Sequence, residues 1–575
     1  MGTISDKLMR IISTKEDIRQ ALISKGYDVP TSIPFKEYAK MILDLPCKAD
    51  SFPDIEGIVA RYSASGLTNE QMAANPVWVD KTGNGHDLQL KNFSWKGMSG
   101  IGGYVADIDE WGTNSTAAYF ERNSIKITAT FKENASLGLL YHNIKLRQSC
   151  VLKVTGIPEG CDAFLDDRLG NRFYMSEDGV YEIIPSNFLA EALYLSIEKY
   201  PERWYGSKLT IEQLPLYPGA LVFDGVDDYG TCNNFPILTK EKGYTVVALR
   251  QWDQDFLNTT LTGGLLSTRN YSTGEGVAFE KIESSNKGYW NLGAGGIIDF
   301  AKSPFTWQTS KQYNNVGILK GDKNHGKPLC VGCGLSGGQQ CGRFAIWELV
   351  FLDHDATEEE LNKIKDYFVK TYPWLFPDQA WTVTGKTNED EDRATIANIT
   401  GNGNDLVLSN LGFAEGSGYN EEGEYAGYLV TDGVDDKVQS SSFTMNEDWT
   451  IVGDWELLSN VQINCGIVKA QNVYLYNIAN GLLISINNPR SLQSFGTKSL
   501  HAICSDGRLY DRNWVEYEYT VDQNFAIVES SLNIGFNLNN YTQIAFKNLG
   551  IYNNQILSKD DCIKAYNYLQ TLKAK

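Results

Sequence analysis

Two short phrases occur twice in this chain, each time in the same order. Thr82-Gly83-Asn84-Gly85-His86-Asp87-Leu88-Gln89-Leu90 precedes Leu221-Val222-Phe223-Asp224-Gly225-Val226-Asp227-Asp228-Tyr229. Thr400-Gly401-Asn402-Gly403-Asn404-Asp405-Leu406-Val407-Leu408 precedes Leu429-Val430-Thr431-Asp432-Gly433-Val434-Asp435-Asp436-Lys437. The first phrase reads as a Gly-Asn-Gly turn feeding an alternating strand. The second reads as an apolar strand, an Asp-Gly turn and a paired-Asp start to the next strand. Asp-Gly and Asn-Gly mark turns because glycine accepts positive φ and the Asp or Asn side chain bonds its own backbone. Repetition of both phrases in order means a duplicated β domain.

The spacing of the copies differs. From Gly83 to Gly225 is 142 positions, from Gly401 to Gly433 only 32. A structureless loop of that excess is improbable, so an inserted domain is expected, at the kind of surface edge where insertions are tolerated. Alternating runs at Ile125–Phe131, Cys150–Ile157, Arg172–Met175, Val180–Ile184, Leu193–Ile197 and Leu209–Gln213 give it antiparallel strands. The expected organisation is a helical segment at 1–48, a first sandwich at 49–117 and 217–376, an inserted small β domain at 118–216, and a second sandwich at 377–575. Each large unit closes with a strand and a short helix, Arg343–Phe351 then Thr357–Phe368, and Ala545–Tyr552 then Ser558–Leu569.

Composition agrees with turn-rich β structure: of 575 residues, 53 are Gly, 13 Trp, 31 Tyr and 24 Phe. The formal net charge of -20 opposes binding to nucleic acid or anionic membranes, because phosphate contacts need clustered Lys and Arg. No apolar run approaches the ~20 residues of a membrane-spanning helix. The first residues lack a signal-peptide core, which implies synthesis in a cytoplasm without standard secretion.

The first 45 residues are unlike the rest. Lys7–Ile12 reads as a short amphipathic helix. Ser13 and Glu16 have capping-box spacing for a second, which runs through Ile18, Ala21 and Leu22 to Gly26. Pro34 suits the first turn of a third. So short a helical set buries little by itself. It is either a cap on the next domain or, as the Pro30–Pro34 hinge and Pro53 favour, an anchor completed by a partner.

Together, the Gly-Asn-Gly turn, the Phe-Asp-Gly-Val-Asp-Asp-Tyr phrase and the closing strand–helix resemble laminin-G/concanavalin A-like jelly rolls. Thr431 and Lys437 depart from the pattern of Phe223 and Tyr229. The leader, Ile12-Ser13-Thr14-Lys15-Glu16-Asp17-Ile18 with Ile33-Pro34-Phe35-Lys36-Glu37-Tyr38, is similar to that of virion fibre and decoration proteins of tailed bacteriophages, including crAss-like gut phages. The resemblance implies a mainly β virion protein with two jelly-roll sandwiches. Capsid or other virion proteins would be its partners through residues 1–45, on the head rather than the tail, and such fibres are usually homotrimers. Lectin-like domains would project toward host or mucus glycans. The expected localisation is the virion, with no enzymatic activity. The alternative is a bacterial surface glycan-binding adhesin, or an ancillary carbohydrate-binding module of a glycosidase.

No catalytic or cofactor site emerges. Asp224, Asp227 and Asp228, with Asp432, Asp435 and Asp436, could offer oxygens to calcium. That ion wants about six to eight ligands and no further carboxylate cluster lies nearby in sequence. They are read as turn formers that keep a sheet edge charged, with calcium the candidate cofactor. Cys330-x-x-Cys333 with Cys341 is the one cysteine cluster. No fourth metal ligand or thioredoxin-like context accompanies it, so buried or loop thiols are expected. Gly334-Leu335-Ser336-Gly337-Gly338 fits the hydrolase string, but in a Gly-rich loop rather than between strand and helix. The five histidines (His86, His142, His325, His354 and His501) fall in no partnered motif. Trp252, Tyr271, Trp290, Trp307 and Trp514 are aromatics that could stack on sugars, and most are expected in the core. The carbohydrate-binding residues themselves stay unknown at this level.

Overall fold

The computed structural model describes residues 52–574 with internal interruptions, the longest at 300–315. The helical leader expected at 1–48 lies outside the described residues. What is described is mainly β, with two sandwiches built to one plan and a smaller two-sheet unit in the first.

Each sandwich is organised around a ten-residue spine strand near its C-terminal end. In the first copy this is Arg343–Leu352 and in the second Ile544–Asn553. One edge of Arg343–Leu352 pairs along its length with Thr245–Trp252; its other edge is shared by Ile58–Ser63 and Leu221–Asp224. The second spine is paired in the same way by Trp449–Leu457, Gln379–Thr382 and Leu429–Val430. Even the bulge recurs, between Leu249 and Arg250 in one copy and Asp454 and Trp455 in the other. The opposing sheets match strand for strand. The sequence Leu88–Lys91, Tyr229–Cys232, Leu329–Val331, Gly263–Ser267 in the first corresponds to Leu406–Ser409, Lys437–Met445, Val528–Ile534, Cys465–Ala470 in the second.

Apart from Arg343, Lys547 and Asn553, which are half-buried, the spine strands are buried because both faces are covered. Phe344, Ile346, Leu349 and Phe351 point into the first sandwich, where they meet Tyr62, Trp78, Leu88, Phe223 and Trp252. Ala345, Trp347, Val350 and Leu352 point the other way and meet the closing helix, Glu358–Thr371, through Ile364 and Phe368. Alternation with period two thus divides one apolar strand between two cores. The second copy does the same beneath Lys559–Gln570. There Gly550 stands at the register position of Val350, and a Cβ on it would lie 3.2 Å from Leu569. Both helices begin with a side-chain cap, Thr357 to the Glu360 amide and Ser558 to the Asp561 amide. Each is also tied to the sheet by a threonine: Thr245 bonds the His354 carbonyl and Ala356 amide, and Thr450 the Gln555 carbonyl and Leu557 amide.

The outward faces of the two spine sheets do not form separate cores. Trp374, Leu375 and Phe376, between the sandwiches, join Trp347 and Phe368 of the first to Val452, Tyr510, Tyr552, Tyr566 and Leu569 of the second in one apolar cluster. Val151 and Val180 of the inserted unit belong to the same cluster. Three β units are therefore welded by one core.

The inserted unit has a five-stranded sheet containing Lys126–Phe131, Cys150–Thr155, Gly179–Ile183 and Lys208–Gln213, and a second sheet containing Asp162–Asp166, Arg172–Met175 and Ala192–Glu198. Its own core includes Phe131, Leu152, Leu165, Met175, Ile197 and Trp204. The chain departs at Gly102–Gly103 and returns at Leu216–Tyr217, whose amides bond the Gly103 and Gly102 carbonyls at 2.9 and 2.8 Å. In the second copy the same place is a short turn between Asn420 and Tyr428. Asp162–Asp166, which lies outside the expected strands, shows no alternation, since four of its five residues are buried.

A third repeated phrase escapes notice in the sequence and is plain in the fold. Thr68-Asn69-Glu70 and Thr387-Asn388-Glu389 each place an asparagine side chain as a backbone clamp. Asn69 accepts the Ile101 amide and donates to the Ile101 carbonyl; Asn388 does the same at Tyr419. The acidic run Asn388–Asp392 is thus the site of a fold-holding contact. Each clamp satisfies both backbone groups of one residue, so Asn69→Ala and Asn388→Ala are each expected to cost about 1–3 kcal/mol, and Asn69→Asp should recover part of the loss. Urea unfolding of the variants checks this; a loss below ~0.5 kcal/mol in both would show that the clamps are incidental.

Candidate functional site

The repeated acidic phrase is the place where titratable groups converge. Its strands do not form a hairpin. Leu221–Asp224 belongs to the spine sheet and Tyr229–Cys232 to the opposing sheet, so the Asp-Gly turn carries the chain across the sandwich. Gly225 has φ +77° and Gly433 φ +74°, and a Cβ on Gly225 would lie 2.8 Å from that of Arg343. Glycine is required here by both conformation and space.

The three carboxylates in each turn have ligand atoms within 4.8 Å of one another. Asp228 and Asp436 are fully buried, against the expectation that these residues would charge a sheet edge. Asp228 accepts the Asp224 amide at 3.1 Å and the Ser99 hydroxyl at 3.0 Å. Asp436 accepts the Asp432 amide at 2.7 Å and the Ser417 hydroxyl at 3.1 Å. Asp224 and Asp432 accept the amides of Val226 and Val434, both at 2.7 Å. Asn92 and Asn410 brace the turns by donating to the Asp227 and Asp435 carbonyls at 3.0 Å. The serine and asparagine partners come from one more repeated phrase, Asn92…Ser99-Gly100 and Asn410…Ser417-Gly418, which equal spacing in the two copies could have revealed.

Burial pushes the Asp228 carboxyl up to about 7, with Asp224 adding repulsion, and the hydrogen bonds from Ser99 and the Asp224 amide only partly offset this. Asp436 rises to about 6 for the same leading reason. As a calcium site the arrangement is poor. The buried carboxylate has its oxygens committed to an amide and a hydroxyl, and the remaining carboxylates fall well short of a six-oxygen shell. The turns are therefore joints that hold two sheets together.

The Gly-Asn-Gly phrase has the same character. Asp80 accepts the Thr82 amide and hydroxyl at 3.0 and 2.8 Å, and Asn398 accepts the same pair from Thr400 at 3.0 and 2.9 Å. Asn84 and Asn402 reach across to the Val59 and Asp378 carbonyls.

Other sequence candidates are dispersed. Cys330 and Cys333 form a disulfide, which corrects the reading of this cluster as thiols, and Cys341 is a buried thiol beside them. Gly334-Leu335 lies in a strand, Cys333–Leu335, paired with Gln339–Cys341, so a hairpin surrounds the hydrolase-like string; Ser336–Gly338 lie outside the described residues. His354 does have partners: Asp353 at 3.3 Å and Glu360 at 3.1 Å. Burial opposes its charged form, but these two carboxylates outweigh that and raise its pKa. They sit at a helix cap, where Glu360 already serves Thr357. His501 is buried, stacked 4.3 Å from Tyr566. Trp252 and Trp514 are buried core residues. Tyr271 and Trp307 lie outside the described residues, as does the side chain of Trp290.

No protein-family model matches the chain, and no curated protein matches it. Among solved structures it is similar to a botulinum neurotoxin serotype D binding domain (TM-score 0.24, 10% identity, 59% of this chain and 88% of that one). It is also similar to a Trypanosoma rangeli sialidase in complex with sialic acid (TM-score 0.23, 9% identity, 78% and 83%). Superpositions this loose carry no inference about ligand or chemistry. Among the described residues, no helix is long and apolar enough to cross a membrane.

The buried carboxyls have a measurable consequence. Their folded pKa values lie above the usual 3.8, so between pH ~4 and ~7 the folded chain binds more protons than the unfolded chain. Their contribution is full below pH ~4 and is lost as pH rises through about 6 to 7. The Asp228→Asn, Asp436→Asn double variant is expected to flatten the fall in melting temperature between pH 5 and 8. An unchanged pH profile would refute the burial-driven shifts.

Proposed function

We propose that this chain is a structural, non-enzymatic fibre protein of a tailed-phage virion. In this reading residues 1–45 fix it to the particle, on the head rather than the tail, as a homotrimer. The β sandwiches face outward and adhere to glycans of host or gut surfaces. The observation that carries the reading is the single apolar core joining both sandwiches and the inserted unit. A display element outside a cell benefits from modules kept in fixed relation, and a shared core does that. The leader's resemblance to virion decoration proteins supplies the attachment. The carboxylate clusters serve turns, and His354 serves a helix start, which favours a role in adhesion over catalysis.

The Cys330–Cys333 disulfide suits an oxidising environment. That also fits the second reading, a bacterial surface adhesin. Mass spectrometry of purified virions separates the two. The protein should be present at stoichiometric copy number, and deletion of residues 1–45 should remove it from particles while leaving it soluble. Absence of the full-length protein from virions would end the virion reading.

A further inference from the structure

Where the two sandwiches meet, the weld leaves a groove of about 320 Å³ open to solvent. One wall is the first closing helix and the turn after it. The other is the segment that leads into the second closing helix. Its floor is apolar, formed by Val369, Pro373, Ile556 and Leu557. Ile556 is 40% exposed although it lies beside the apolar core.

The rim carries polar groups of both signs. Asp366 and Lys370 stand one helical turn apart, both exposed, and neither has an ion-pair or hydrogen-bond partner among the described residues. Asp561 faces them from the second helix. It accepts from the Ser558 hydroxyl at 2.7 Å and from Lys564 at 3.1 Å. Gln555 completes the lining.

We infer that this groove is a binding site for a neutral saccharide unit. The volume lies at the small end of ligand pockets, on the scale of one sugar ring or two. Charge selects the class. A cation is opposed by Lys370, and an anion by Asp366 and Asp561. A neutral polyhydroxyl compound uses both signs, donating hydroxyls to Asp366 and accepting from Lys370. Its C–H face packs on Pro373 and Ile556. The site exists only because the two sandwiches are held in fixed relation, so neither sandwich alone contains it.

The inference rests on the adhesive half of the function proposed above, and the test separates the two. Saturation-transfer NMR on the full chain, with glucose, galactose, mannose and N-acetylglucosamine as probes, is expected to show binding of at least one. N-acetylneuraminic acid and spermidine, as charged probes, should not bind. Ile556→Trp fills the floor, and Asp366→Ala removes an acceptor at an exposed position. Each should weaken binding about tenfold with the melting temperature unchanged; Asp366→Ala remains a test if Ile556→Trp misfolds. Saccharide binding that both variants leave intact would overturn the groove while sparing adhesion elsewhere. Failure of every neutral sugar to bind, or preference for a charged probe, would overturn the ligand class.

Discussion

Two spine strands, each buried on both faces, hold this molecule together. A strand covered on one side can end its sandwich at a polar surface. Arg343–Leu352 and Ile544–Asn553 cannot, because Trp347, Val350 and Leu352 in one and Tyr552 in the other face outward and are buried. Apolar area removed from water is worth roughly 25 cal/mol per Å². A second covered face therefore favours whatever geometry joins the two sheets. The closing helices supply part of the cover, and Trp374 with Phe376 supplies the bridge. The inserted unit adds Val151 and Val180, so it is seated on the body and not merely tethered to it.

The copies have diverged where that core meets polar groups. In the first, Arg61 and Glu348 form a buried ion pair at 3.1 Å. It is supplied with hydrogen bonds by Tyr367 and Tyr372, and Arg61 lies over the Phe52 ring. The matching positions in the second copy are Ala380 and Asn548, which carry no charge. Replacing a buried pair with neutral residues is often close to neutral in stability, whereas removing one partner is costly. Removing either Arg61 or Glu348 alone would leave a buried charge uncompensated. Elsewhere the joints were kept: Ser99 with Asp228 and Ser417 with Asp436, Asn69 and Asn388, Thr245 and Thr450. These are the contacts that fix how the two sheets of one sandwich sit.

Much of this was legible in the chain. The Gly-Asn-Gly and Asp-Gly phrases announce themselves because positive φ at Gly83, Gly85, Gly401 and Gly403 leaves few residues that will serve. Unequal spacing pointed to an insertion, and the first closing helix was readable from the stripe of Leu361, Ile364, Tyr367 and Phe368 and the acidic first turn at 358–360. What stayed hidden was decided by distant partners. Asp228 reads as a surface charge until Ser99, 129 residues away, is placed against it. An Asp-Gly turn looks the same in sequence whether it closes a hairpin or crosses a sandwich. An all-apolar strand does not say what covers its second face, so the weld and the groove it leaves could not be read from residue order. The repeats Thr-Asn-Glu and Asn…Ser-Gly stand in the residue order, but each is short and polar and does not by itself announce a contact.

If one core joins the three β units, the chain should unfold as one unit despite its size. Differential scanning calorimetry of the full chain tests this directly. The expected result is a single transition whose calorimetric and van't Hoff enthalpies agree, with Leu569→Ala in the second closing helix lowering that whole transition by several degrees. Two or three separable transitions, with Leu569→Ala shifting only one of them, would contradict the account.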